Sequence, residues 1–209
     1  MKKAVVASFL IFSLTILSGC LTTLYPIFFE KDLLFEENLI GLWKCTSDKN
    51  KNISFYEFRR IPETKKKELP LEIQKASDKA YLVSRSDSSG QETEQYFVFL
   101  ATIGKSQYLD FYPAETPVQY AINKYFKQHY VKVHTNYRCD MQSKNQFIIR
   151  QFDSGFLENL IEHNQINVRI SGTKLIESPT KALQEYILKY GDDPKAYYST
   201  TICTRILNY

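Results

Sequence analysis

The chain has 209 residues, with 27 Lys and Arg against 23 Asp and Glu and 44% hydrophobic side chains, enough for one domain with a sizeable core. A charge this close to balance excludes a dedicated nucleic-acid binder, whose phosphate contacts need a concentrated basic face. Seven glycines against fourteen Phe and fifteen Tyr favour sheet, because aromatic side chains fit a pleated, half-buried surface.

Lys2 and Lys3 precede an apolar run from Ala4 to Leu17 and then small residues, the three regions of an export signal. The run is shorter than the roughly 20 apolar residues of a membrane span. Leu17-Ser18-Gly19-Cys20 resembles the lipobox of bacterial lipoproteins. That resemblance implies cleavage before Cys20, a diacylglycerol on its sulfur and commonly a further acyl chain, such as palmitate, on the freed amine. Residues 1–19 are then a signal peptide, and Cys20 is the lipid-attachment site of a membrane-bound envelope protein. Leu21 stands where lipoproteins of the enterobacterial type retained at the inner membrane usually carry aspartate, so the resemblance implies outer-membrane residence if the host has one. Two or three acyl chains hold essentially permanently, so the rest of the chain need not touch lipid. Leu21 to Pro26 lacks the composition of a long flexible tether, which places the folded part close to the membrane.

Residues 20–38 form the anchor and an irregular lead-in, with one helical turn expected to plug an open end of the core, and residues 39–209 form a single β domain. Leu39 to Cys45 reads as a strand that holds the only tryptophan, with Gly41 allowing a tight approach two residues before Trp43. Residues 52–60 are a strand of ambiguous facing, since Ile53, Phe55 and Glu57 alternate with Ser54, Tyr56 and Phe58. Two prolines and Lys65-Lys66-Lys67 make residues 61–79 a long polar connection. Strands at 79–85, 94–103 and 107–112, broken at Asp87-Ser88-Ser89-Gly90 and at Gly104-Lys105-Ser106, carry the spacing of a meander. Val118, Ala121, Ile122 and Tyr125 suggest a short helical lid or crossover. Sheet resumes at 129–139 and pairs with 146–152, and Asp153 caps a two-turn helix ending at Ile161. A strand follows at 165–170, turning at 171–173 into 174–176. Ser178-Pro179 opens a helix with Leu183, Ile187 and Leu188 as its buried stripe and Gly191 as a left-handed stop. Asp192-Asp193-Pro194 begins a further turn, and residues 200–207 alternate as the closing strand.

Gly41-x-Trp43 after a short lead-in, and a late helix followed by one last strand, resemble the lipocalin-like (calycin) barrels. The stretch from lipobox to tryptophan is similar to a group of uncharacterised bacterial envelope lipoproteins. The resemblance implies a β-rich (α+β) fold, an antiparallel meander forming a lipocalin-like barrel with two or three short helices. The departure in the middle, where the helix at 154–161 is extra, leaves a distorted or half-open sheet as the alternative. The resemblance further implies that Gly41, Trp43 and Arg205 close the barrel, the arginine packing over the indole. A closure of that kind brings Cys45 beside Cys203 and leaves Cys139 free; Cys45 with Cys139 and Cys139 with Cys203 are the rival pairings.

No phosphate-cradling glycine loop, nucleophile elbow, zinc-binding helix motif or short Cys-x-x-Cys spacing occurs, so neither an enzyme nor a metal or other cofactor is expected. His129 and His134 lie five apart on one strand and point to opposite faces. His163 suits a helix end, and Asp192-Asp193 suits a cap rather than a cation site. The residue class left for function is tyrosine. Tyr56, Tyr96, Tyr108 and Tyr130 are the candidate cavity lining, with Tyr81, Tyr112 and Tyr137 on or beside the same strands; which face is lumen decides among them. The reading is a non-enzymatic, lipid-anchored envelope protein that binds a small apolar ligand or lipid. The alternative is a structural or interaction module of an envelope assembly.

Overall fold

The computed structural model describes residues 22–69, 71–89, 91–114, 131–171 and 175–207. Cys20, Tyr130, His129 and the expected lid at 117–127 lie outside the described residues.

Eight antiparallel strands make a closed barrel. In chain order these are β3 (Gly41–Ser47), β4 (Ile53–Arg60), β5 (Ala80–Ser86), β6 (Glu92–Ile103), β7 (Ser106–Pro113), β8 (His134–Ser143), β9 (Gln146–Phe152) and β11 (Tyr197–Arg205). They pair in the circuit β8-β7-β6-β5-β4-β3-β11-β9, and β9 pairs with β8 to complete the ring. The half-open sheet is therefore not formed. Closure works because the first long strand and the last one pair antiparallel, with Trp43 opposite Arg205 and Cys45 opposite Cys203.

Three two-residue strands lie on this barrel: β1 (Thr22–Thr23) beside β8, β2 (Leu33–Leu34) beside β6, and β10 (Leu175–Ile176) beside β1. β2 takes the edge of β6 at Leu100 and Ala101, just beyond Phe99, which faces Ala80, the first residue of β5. One-turn helices α1 (Glu63–Lys66) and α2 (Leu71–Gln74) occupy the 61–79 connection, which also buries Ile61, Leu69 and Ala76, so it is a packed strap rather than a solvated loop. Helices α3 (Ser154–Glu162) and α4 (Thr180–Tyr190) lie between β9 and β11. Asp153 caps α3, accepting from the Phe156 amide at 3.0 Å.

The described residues form two apolar cores, one inside the barrel and one outside it. Trp43, Phe58, Tyr81, Val83, Val98, Leu100, Leu109 and Phe147 fill the interior. Phe97, Phe99, Ala101, Ile103 and Tyr108 form the outer core with Leu157 and Leu160 of α3, Leu183, Tyr186 and Ile187 of α4, and Ile27 and Phe28 of the lead-in. β6 is apolar at every position from Phe97 to Ala101 because both of its faces are covered. β3 alternates at its centre, with Trp43 and Cys45 buried and Lys44 exposed, because its outer face there meets solvent.

Four local expectations are corrected. Among the described residues of the expected strand at 165–170, only Ile170 pairs, bridging Ile176. Ser178 does not cap α4: its hydroxyl accepts the Arg169 amide at 2.7 Å, and the helix begins at Thr180. Leu188 is 62% exposed, since the α4 stripe runs through Leu183, Tyr186 and Ile187 instead. Gly191 is right-handed, at φ −64°, so its stop is steric: a Cβ there would stand 2.4 Å from the Ile187 carbonyl and 2.5 Å from the Tyr108 hydroxyl.

Candidate functional site

One end of the barrel is plugged. The 3₁₀ turn Glu37–Leu39 crosses it, and the Trp43 indole donates to the Leu39 carbonyl at 2.8 Å while remaining fully buried. The Arg205 guanidinium covers the indole at 4.3 Å from the ring centroid and donates to the carbonyls of Ile40 (2.7 Å), Lys144 (3.0 Å) and Asn38. Gly41 makes that approach available, because at φ +133° a Cβ would sit 2.5 Å from the Arg205 Nη1. The Phe147 ring meets the indole edge-on at 4.7 Å, and the Tyr81 hydroxyl bonds the Glu36 backbone from inside, its pKa pushed upward by burial.

Two residues further along, the Cys45–Cys203 disulfide ties the first barrel strand to the last. It closes a loop with a sequence separation of 158, which in the chain-entropy model contributes about 5 kcal/mol. Cys139 is a free thiol inside the barrel, its pKa pushed up to about 12 by burial and then by the neighbouring Asp140 charge.

Beyond the disulfide, towards the other end, the described residues leave a cup of about 280 Å³. Its floor is Phe111 and Ile149. Three tyrosine rings stand edge-on around Phe111: Tyr137 at 5.3 Å, Tyr96 at 5.5 Å and Tyr56 at 6.3 Å between centroids. The wall carries Ser54, Thr135, Gln151 and Thr201, and Asn50 and Asn52 mark the β3–β4 side of the mouth. The charged group in this wall is Arg85, bonded to the Glu94 carboxylate at 2.7 Å; Tyr96 donates to the same carboxylate at 2.6 Å. Partial burial opposes ionisation of Glu94, but the bonds from Tyr96 and Arg85 outweigh it and hold the carboxyl below its ordinary range. Burial raises the Tyr96 hydroxyl, and its bond to the carboxylate raises it further. The cup thus offers aromatic rings below, the Arg85 guanidinium paired with Glu94 at one side and neutral hydrogen-bonding groups around the rest.

Tyr56 and Tyr96 line this cavity. Tyr108 does not: it has the opposite parity from Leu109 and stands in the outer core, stacked on Phe152 at 6.1 Å. Tyr130 lies outside the described residues. Sequence reasoning missed Arg85 and Glu94. The signal for them is the chain of opposed residues Trp43, Tyr56, Arg85 and Glu94 across four neighbouring strands, since one inward residue sets the parity of its partners.

A second unanticipated arrangement lies outside the barrel. His134 Nδ1 meets Asp110 Oδ1 at 2.6 Å, both buried, and Asp110 Oδ2 accepts the Ile27 amide at 3.1 Å. Asn136, two residues along β8, donates to Thr23 Oγ1 at 3.0 Å. These side chains tie the lead-in to the barrel wall. His163 closes α3 by contact with the Asn159 carbonyl, Asp193 caps the turn before β11, and Asp192 pairs with Arg138 at 2.8 Å. Among the described residues, no three His, Cys, Asp or Glu side chains converge as a metal site requires, and no helix is long and apolar enough to cross a membrane.

No protein-family model, curated protein or solved structure matches this chain.

Proposed function

We propose that this is a lipid-anchored bacterial envelope protein of the lipocalin-like kind, held by acylated Cys20, whose barrel binds a small molecule in the open cup. The observation that supports this reading is the asymmetry of the interior: one end sealed by Trp43, Arg205 and the 37–39 turn, the other left as a cup of about 280 Å³ over a ring of aromatics. That volume is at or below the roughly 300–1,000 Å³ of drug-sized pockets, so the cup takes a compact molecule or one end of a longer one. The lining favours an amphipathic ligand over a purely apolar one, because polar groups such as Arg85, Gln151 and the hydroxyls of Ser54 and Thr201 are costly to set against hydrocarbon. Aromatic faces accept a flat or cationic group, and the polar wall orients its substituents. The residues serve binding and orientation, and the reading is non-enzymatic.

Native mass spectrometry of the protein extracted from its host in mild detergent tests this. A bound small molecule is expected, and it should be lost in Thr201→Trp, which fills the cup from β11. Protein without a bound molecule, or a molecule retained by the filled variant, would place the function elsewhere. The second reading, an interaction module of an envelope assembly, is favoured by the well-filled lower barrel, and it predicts that Thr201→Trp leaves function intact.

A further inference from the structure

We infer that the open rim of the barrel is the surface that docks on the bilayer, its partner being the lipid headgroups of the leaflet that holds Cys20. This rests on the lipid-anchored reading above and adds an orientation to it. β1 begins two residues after Cys20 and pairs with the start of β8, Thr22 opposite Thr135 and Thr23 opposite His134. Thr135 lines the cup, so this pair lies at the mouth. β8 then runs to Ser143 and the adjoining hairpin, where the Lys144 carbonyl accepts Arg205 at the plugged end. The anchor therefore joins the barrel at its open end.

Nothing between β1 and the barrel can swivel. Thr23 is buried, bonded to Asn136 and to the Tyr25 carbonyl, and β1 is flanked on its other edge by β10. The next residues are clamped in turn. The Ile27 amide bonds Asp110, the Pro26 carbonyl accepts Thr180, and the Ile27 carbonyl accepts Gln184, with the Ile27 and Phe28 side chains buried below. The two peptide steps from Thr22 back to Cys20 reach at most about 7 Å. β8, by comparison, has ten residues and is about 33 Å long at ~3.3 Å per residue. The tether covers about a fifth of that length, so the acylated residue stays on the mouth side. Tyr25 and Val131, on the segments that leave the β1–β8 pair at this rim, are 45% and 59% exposed. An exposed tyrosine, apolar in body with a polar tip, suits the headgroup layer.

The test uses the full acylated protein in phosphatidylcholine vesicles carrying nitroxide-headgroup lipid, with a fluorophore on Asn50→Cys or on Lys144→Cys. Asn50 lies across the mouth from β8, whereas Lys144 lies at the plugged end on the same side of the barrel as the anchor. Quenching several-fold stronger at position 50 than at 144 is expected. Equal quenching, or stronger quenching at 144, overturns the orientation. The mass of the purified protein separates the two failures: an acylated chain with equal quenching refutes the orientation alone, while an unacylated chain refutes the anchor reading and the orientation with it. Ten Gly/Ser residues inserted between Leu21 and Thr22 should equalise the two positions without moving the unfolding midpoint. A preference for position 50 that survives the insertion would refute the short tether as its cause.

Discussion

Trp43→Ala tests the plugged end most directly. The indole is fully buried, donates to the Leu39 carbonyl at 2.8 Å, meets Phe147 edge-on at 4.7 Å and lies under Arg205 at 4.3 Å. Truncating a buried large aromatic costs about 3–5 kcal/mol. Here the upper end is expected, about 5 kcal/mol, because the void falls at a constriction that α3 and α4 cannot collapse into and the Leu39 carbonyl loses its donor, worth about 1 kcal/mol. Against a total stability of roughly 5–15 kcal/mol this leaves the domain marginal. Urea unfolding followed by far-UV circular dichroism is the assay, since the substitution removes the only tryptophan. The midpoint should fall with the slope unchanged. A double-mutant cycle with Arg205→Ala should show coupling of about 1 kcal/mol from the ring stack. A loss below about 1 kcal/mol for Trp43→Ala would refute the plug, and strict additivity would remove Arg205 from it.

Peptide mapping of the unreduced protein should find Cys45 joined to Cys203, and alkylation at pH 8 should leave Cys139 untouched until the chain unfolds, because a thiol with a pKa near 12 is almost entirely protonated there; rapid labelling of native Cys139 would contradict its burial. Gly41→Ala should destabilise by about 1–3 kcal/mol, combining a strained positive φ with a Cβ placed 2.5 Å from the arginine, and should lower the coupling between positions 43 and 205; an unchanged thermal midpoint would count against the close approach. Glu94 is held below the ordinary carboxyl range, so its contribution to stability is complete above the unfolded-state pKa and is lost as pH falls through its folded pKa. Glu94→Gln should flatten that part of the acid-unfolding profile, and a profile identical to the parent would show that the Arg85–Glu94–Tyr96 group is not coupled to folding.

Residue pattern alone marks the eight barrel strands and their meander order, whereas the strand expected at 165–170 is only a bridge at Ile170, and the closing pair Trp43 and Arg205 was legible through the resemblance. Period-two alternation marks a strand wherever one face meets solvent, and a lone tryptophan after glycine marks the interior of the first. The disulfide was legible only through the resemblance, since three cysteines do not choose among their pairings. Tertiary structure decided everything that depends on facing. β7 carries Tyr108, Leu109, Phe111 and Tyr112, with apolar residues on both sides because the helices cover its outer face, so no local signal separates the cup-lining Phe111 from the outer-core Tyr108. Gly191 and Ser178 follow the same logic: each suits a helix end by its own preferences, but the Tyr108 hydroxyl from a distant strand stands where a Gly191 side chain would, and Ser178 accepts the Arg169 amide nine residues back. The Asp110–His134 pair joins residues 24 apart on neighbouring strands, Asp110 meets the Ile27 amide 83 residues away, and β1 meets β8 across most of the barrel; such contacts come from packing lead-in and barrel together rather than from any stretch of sequence.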